Sequence, residues 1–136
     1  MDAAQALAEL AELSSQVERA VVMEAGGEIL AASDEDPADA QALAGAAVAL
    51  LAAAGELHAT AAEVVRAEVE LAEGGFFVLR EGGRTIGATT GPGPTSGLVV
   101  YDLRTCLRGI DDKPKRRRTA KKAPADEETP QEETAK

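Results

Sequence analysis

The chain has one cysteine, Cys106, and so no intrachain disulfide; a reducing compartment is the default setting for such a sequence. It has one histidine, His58, and no lysine before Lys113. A metal site needs several ligands at suitable spacing, and one His with one distant Cys supplies none. A phosphate-binding P-loop needs a lysine and a following Ser or Thr between a strand and a helix. The glycine-rich stretch 87–93 (GATTGPG) has no lysine, and Pro92 and the following Pro94 remove backbone donors such a cradle would need, so it reads as a connection. The first residues, MDAAQALAELAEL, are acidic where a secretory leader would be basic. The longest apolar run falls short of the roughly 20 residues that span a bilayer. These features predict a soluble, cytoplasmic protein.

From Asp112 onward the chain holds no Val, Leu, Ile, Phe or Tyr, only residues such as Lys, Arg, Glu, Thr, Pro and Ala. Such a segment cannot bury enough apolar surface to offset its ordering entropy, so 112–136 is expected to be a disordered charged tail. The folded unit is then one domain over 1–111, long enough to bury roughly two thirds of its unfolded surface. Within it 18 acidic residues face 6 arginines, a charge of −12, and the tail adds +2. A body this acidic repels nucleic acid and anionic lipid, which leaves any such contact to the tail.

What the chain has in plenty is one helix. Residues 42–55 (ALAGAAVALLAAAG) carry no polar side chain and are rich in the strongest helix formers. Asp36 suits the N-cap, Pro37 the first helical position and Asp39 the first turn. A helix apolar on every side has to be covered on every side. Leu43, Ala47, Leu50, Ala54 and Leu57 form one seam at helical spacing, expected against the protein's own sheet. Ala42, Ala46, Ala49 and Ala53 form a second seam made only of methyl groups. The chain offers no obvious second helix for it except its own copy.

Around this helix the periodicities alternate. Residues 2–15 predict a helix with Leu7, Leu10 and Leu13 as its stripe and Glu9 and Glu12 in water. Strands 20–23 and 29–32 flank a two-glycine turn, and 33–36 (SDED) leads into the central helix. Residues 64–72 alternate Val65, Ala67, Val69 and Leu71 with Arg66, Glu68 and Glu70, the period of a half-buried strand. Glu73-Gly74-Gly75 is read as the turn into strand 76–80, and Glu81-Gly82-Gly83 as the turn into strand 84–90. Tight turns make antiparallel neighbours. After the 91–94 loop, Thr95 or Ser96 opens a last helix with Val99, Leu103, Cys106, Leu107 and Ile110 in register. The result is an α+β domain of order α-β-β-α-β-β-β-α with one five-stranded antiparallel sheet.

This pattern resembles the Roadblock (dynein light chain) family, related in fold to longin and profilin-like domains. The residues that carry the resemblance are 18–33 (ERAVVMEAGGEILAAS), the Ala/Leu helix, 71–90 (LAEGGFFVLREGGRTIGATT) and 93–110 (GPTSGLVVYDLRTCLRGI). The resemblance implies a homodimer or heterodimer with the long helices side by side and the third strands paired across the two-fold. It places Ala42, Ala46, Ala49, Ala53, Val65, Ala67 and Val69 at that interface. It also implies an adaptor or regulator of a small Ras-like GTPase, as in a bacterial polarity system, with no catalytic residues and no cofactor of its own. The charged tail lies outside the family pattern.

The remaining candidates for chemistry are weak. Cys106 sits on the apolar stripe of the last helix and reads as a small core hydrophobe. Asp34, Glu35 and Asp36 could be taken for a metal cluster, but read better as a solvated loop ending in a helix cap. If an arginine finger were used, the body offers Arg19, Arg66, Arg80, Arg84, Arg104 and Arg108, with nothing to choose between them. In the tail, Lys115, Arg116, Arg117 and Arg118, with Lys113, Lys121 and Lys122, form the one basic cluster. It can tether a dimeric scaffold to nucleic acid or an anionic membrane, or it can screen the acidic body of its own dimer. Its acidic end, with Asp126, Glu127, Glu128, Glu132 and Glu133, weakens a simple nucleic-acid reading.

Overall fold

A computed structural model of the chain describes residues 1–57 and 65–111. The elements are α1 (Ala3–Leu13), β1 (Val17–Glu24), β2 (Ile29–Ala32), α2 (Pro37–Gly55), β3 (Arg66–Leu71), β4 (Gly74–Glu81), β5 (Arg84–Thr90) and α3 (Ser96–Arg108). The strands form one five-stranded sheet of order β2-β1-β5-β4-β3, antiparallel throughout. Element order and fold class agree with the α+β reading of the sequence. His58 and the 112–136 segment lie outside the described residues.

Each face of the sheet carries its own core. On one side α1 and α3 cover Ala20, Val22, Phe77, Leu79, Ile86 and Ala88, packed with Leu7, Leu10, Val99, Leu103 and Cys106. On the other side α2 alone covers Val21, Met23 and Val78. Side chains alternate between faces along a strand, so Val21 and Val22 belong to different cores.

The helices begin as their first residues dictate. The Asp2 carboxylate accepts from the Gln5 amide while the Gln5 side chain accepts from the Asp2 amide, a closed capping box. The Asp36 carboxylate accepts from the Ala38 amide at 2.9 Å, with Pro37 in the first turn. Thr95 occupies the cap position of α3 without a side-chain bond; its amide donates instead to Gln16 Oε1 at 2.7 Å. That bond ties the start of α3 to the segment after α1.

Three sequence expectations change. Leu13, placed on the buried stripe, is 71% exposed, because the stripe of α1 turns out to run through Ala3, Ala6, Leu7 and Leu10 and the helix ends at Leu13. On α2 the seam that meets the sheet is Ala40, Leu43, Ala44, Ala47 and Leu51, while Leu57 is exposed and Leu50 only half-buried. The turn between β3 and β4 is Ala72-Glu73, with Leu71 paired to Gly74, so Gly74 and Gly75 lie in the strand. A side chain at Gly74 would stand 2.1 Å from the Thr90 carbonyl oxygen, and one at Gly75 2.9 Å from both Phe77 and the Thr90 hydroxyl. These two glycines serve close packing rather than a turn. The β4–β5 hairpin keeps its turn at Gly82-Gly83, where positive φ angles of 63° and 80° suit a two-residue connection that follows strand twist.

One close approach of α2 to the sheet is also at a glycine. A Cβ at Gly87, in β5, would sit 3.0 Å from the Ala47 Cβ. Methyl on one side and hydrogen on the other set the depth of the helix.

Gly74→Ala is expected to cost about 2–3 kcal/mol, since the added methyl meets backbone that cannot turn away. A thermal melt should fall by about 10 °C or more, at about 4–8 °C per kcal/mol for a domain of this size. Gly26→Ala, where the added atom meets open space, should stay within about 0.5 kcal/mol. Equal melts for the two variants would contradict the close-packing role.

Candidate interaction surface

Ala42, Ala46, Ala49 and Ala53 are all exposed. Their exposure follows from the all-apolar sequence of α2: with Leu43, Ala47 and Leu51 turned to the sheet, the second seam has to face outward. Only 28% of the most apolar window of this 19-residue helix is buried. By length and composition alone α2 could cross a membrane, whereas the sequence reading makes it too short. Its inner seam belongs to the sheet's own core.

Beside this face lies an open sheet edge. Val48, on one flank of α2, sits over the β1–β2 turn, 3.5 Å from where a Gly27 Cβ would be. The methyl seam lies on the outer side of the helix, away from the inner seam and from Val48. Among the described residues β3 is the outermost strand at one edge of the sheet. Val69 pairs with Phe76 and Ala67 with Val78, so these side chains share the α2 face of the sheet. Ala67 and Val69 are half-buried, whereas Val65 is 63% and Leu71 56% exposed. An apolar edge strand of this kind is a template for pairing with another chain. The seven residues placed at an interface by the resemblance thus stand on one side of the domain. Arg66, Glu68 and Glu70 point to the opposite face, where Glu68 and Glu70 line a small cleft with Phe77 and Pro94.

The other candidates have structural employment. Arg19 meets Asp34 through Nε at 3.0 Å and Nη2 at 2.7 Å, a two-point pair that joins β1 to the connection before α2. The hydrogen bond that Arg19 donates to the Asp34 carboxylate raises the Arg19 pKa. With Asp34 held by Arg19 and Asp36 capping α2, the acidic loop is divided between two tasks. No group of three potential metal ligands occurs among the described residues. Burial, reinforced by Glu9, pushes the Cys106 thiol up to about 11, so it is protonated at neutral pH and packs in the α1/α3 core. The stretch 87–93 divides into strand up to Thr90 and connection after it. Glu81 receives Arg104 Nε at 3.0 Å and also Arg108 Nε, bracing α3 against the β4–β5 hairpin. Sequence reasoning missed this brace; residues 23 and 27 positions apart carry no local signal of pairing.

The fold as a whole has counterparts among solved structures. A Roadblock/LC7 domain from Streptomyces avermitilis superposes with TM-score 0.68 at 20% identity, covering 79% of this chain and 93% of that one. The fold is that of a Roadblock/LC7 domain. The gliding protein MglB of Thermus thermophilus matches with TM-score 0.57 at 19% identity, over 76% of this chain and 82% of its own. MglB of Myxococcus xanthus matches with TM-score 0.59 at 14% identity, over 78% and 85%. No family model and no curated protein matches by sequence. The Roadblock likeness is therefore one of element order and packing, carried by few identical residues.

The Glu81 brace yields a pH test. Arg108, with Arg104, holds the Glu81 carboxyl below its ordinary value of 4.5. A lowered folded pKa gives stability that is present above the unfolded value and lost as pH falls through the folded one. Glu81→Gln should therefore lower the melting temperature at pH 7, and the gap to the parent should shrink as pH drops below about 4.5. A gap independent of pH between 7 and 3 would show that the ion pair contributes nothing.

Proposed function

We propose that this Roadblock-fold protein is a homodimeric, non-catalytic adaptor that binds a small Ras-like GTPase and regulates its activity or location. The observation that carries the reading is the outward methyl seam of α2 on the same side of the sheet as the apolar face of β3, an edge strand among the described residues. Apolar side chains left exposed together on one face mark surfaces where subunits meet. In the dimer, Ala42, Ala46, Ala49 and Ala53 of two α2 helices pack at close approach. Val65, Ala67 and Val69 on the two β3 strands lie along a joint that continues the sheet. Among the fold neighbours, one solved structure is described as MglB with a tetrameric arrangement, which supports self-association as a habit of the fold. The GTPase partner rests on the Roadblock resemblance. A regulator without catalytic groups acts by binding, so it changes the conformation or position of its partner rather than supplying a residue to the chemistry.

Two measurements test the two halves. Sedimentation of the full chain at micromolar concentration should give a dimer. Ala46→Glu or Ala49→Glu would bury an unpaired carboxylate at its centre and should weaken it at least about 100-fold, roughly 3 kcal/mol. A monomeric parent protein overturns the assembly. Purified small Ras-like GTPases, loaded with GDP or a non-hydrolysable GTP analogue, should include one that binds the dimer in a nucleotide-dependent way. Absence of binding in both states for all of them overturns the partner.

A further inference from the structure

The face opposite α2 carries a second open feature, independent of the dimer reading. α1 and α3 leave a cleft of about 180 Å³ between them. Buried Leu10 and Cys106 and exposed Leu13 and Tyr101 line it. Leu13 is 71% and Tyr101 66% exposed, two large side chains left open at the cleft. Glu9 and Asp102 line the cleft, and Glu12 stands exposed one turn along α1. Among the described residues, no basic side chain lines it.

The cleft ends where the described chain ends. Met1 and Gly109 close one end of it. The Asp111 amide donates to the Met1 carbonyl at 2.8 Å, and the Met1 nitrogen lies 2.7 Å from the Asp111 carboxylate. Arg84 Nη2 adds a bond to the Asp111 carbonyl at 3.2 Å. These bonds fix the point from which the next residues start, at the N-terminal end of α1. Those residues are Asp112, then Lys113-Pro114-Lys115-Arg116-Arg117-Arg118, carrying five positive charges. α1 has 11 residues, so it is about 16 Å long, at about 1.5 Å per residue. Extended chain covers that in about five residues, at about 3.3 Å each.

We infer that the basic segment 113–118 folds back along the α1/α3 cleft, its cations over Glu9, Glu12 and Asp102 and its methylene stems on Leu13 and Tyr101. Long basic side chains suit such a surface, because their stems cover apolar groups while their heads reach carboxylates. A guanidinium over the Tyr101 ring adds a cation–π contact. The attachment is intramolecular, so the effective concentration of the tail at the cleft is high and each weak contact counts. It also holds the basic cluster on the protein's own surface, and a polyanion has to compete for it.

The test compares amide NMR spectra of the full chain with two variants. In one, Lys113, Lys115, Arg116, Arg117 and Arg118 are changed to Gln; in the other, Glu9→Gln, Glu12→Gln and Asp102→Asn are combined. At about 50 mM NaCl the Leu10, Leu13, Tyr101 and Thr105 amides should differ between the parent and the tail variant. Raising NaCl to about 500 mM should move the parent resonances to the tail-variant positions and leave the tail variant in place, as screening shortens to a few ångströms. The cleft variant should lose the same salt response and free the amides of 113–118, at any protein concentration. Coincident parent and tail-variant spectra at low salt would overturn the inference. Shifts confined to α2 or β3, or shifts that grow with protein concentration, would overturn it too, by placing the tail on another surface or on another molecule.

Discussion

The contact between Ala47 and Gly87 sets the terms for everything else in this domain. A helix resting on a sheet through larger side chains stands further off and shares the space with other cover. Here a methyl group meets a glycine, with room for a Cβ only at 3.0 Å. The helix sinks, and a single inner seam with Leu43, Ala44 and Leu51 is enough to seal Val21, Met23 and Val78. Deep seating has a consequence on the outside. Nothing in the described chain rises beside α2 to cover its remaining faces, so a helix composed for burial on every side is buried on one. The excess apolar surface is a result of how small the contact residues are.

The two sides of the sheet solve the covering problem differently. Two helices share the α1/α3 side, and both have polar outer faces, with Glu9, Glu12, Asp102, Arg104 and Arg108 among them. Arg104 and Arg108 reach Glu81 and Arg19 reaches Asp34, so half of the body's six arginines are used to brace loops and helix ends against strands. An exposed pair of this kind is worth at most about 1 kcal/mol, so the arginines orient the elements more than they stabilise the fold. The outward seam of α2 offers no group for such a brace. It is uncharged, smooth and made of side chains with no rotamers to lose, which lowers the entropy cost of packing a second surface against it.

How far the sequence could be read depends on whether each pattern has a phase. Strand alternation has one: Val65, Ala67 and Val69 fall on one face and Arg66, Glu68 and Glu70 on the other, in the register found. α1 and α3 have polar residues to mark their wet sides; the interior of α3 was legible from them, and that of α1 at Leu7 and Leu10 but not at Leu13. α2 has no such mark. A helix apolar all round has no preferred direction, and the seam chosen by following leucines, through Leu50 and Leu57, missed Ala40, Ala44 and Leu51, which meet the sheet. The all-alanine seam stands out in the sequence because methyl-only spacing is itself a signal, whichever way the helix turns. Gly74 and Gly75 were misread for a related reason. A glycine in sequence signals backbone freedom or backbone crowding alike, and only the Thr90 carbonyl 2.1 Å from the missing Cβ tells which.

The same asymmetry bears on what each surface can recognise. The methyl seam carries no charge and no directional bond, so it selects by shape alone and accepts only a surface equally smooth and small-featured. A copy of itself satisfies that by symmetry. The open edge of β3 adds direction, because its backbone groups pair only with a strand in register. A flat apolar helix face binds without specifying orientation, and a bare strand edge specifies orientation with little apolar area. Placed side by side, as the depth of α2 and the strand order place them, each supplies what the other lacks.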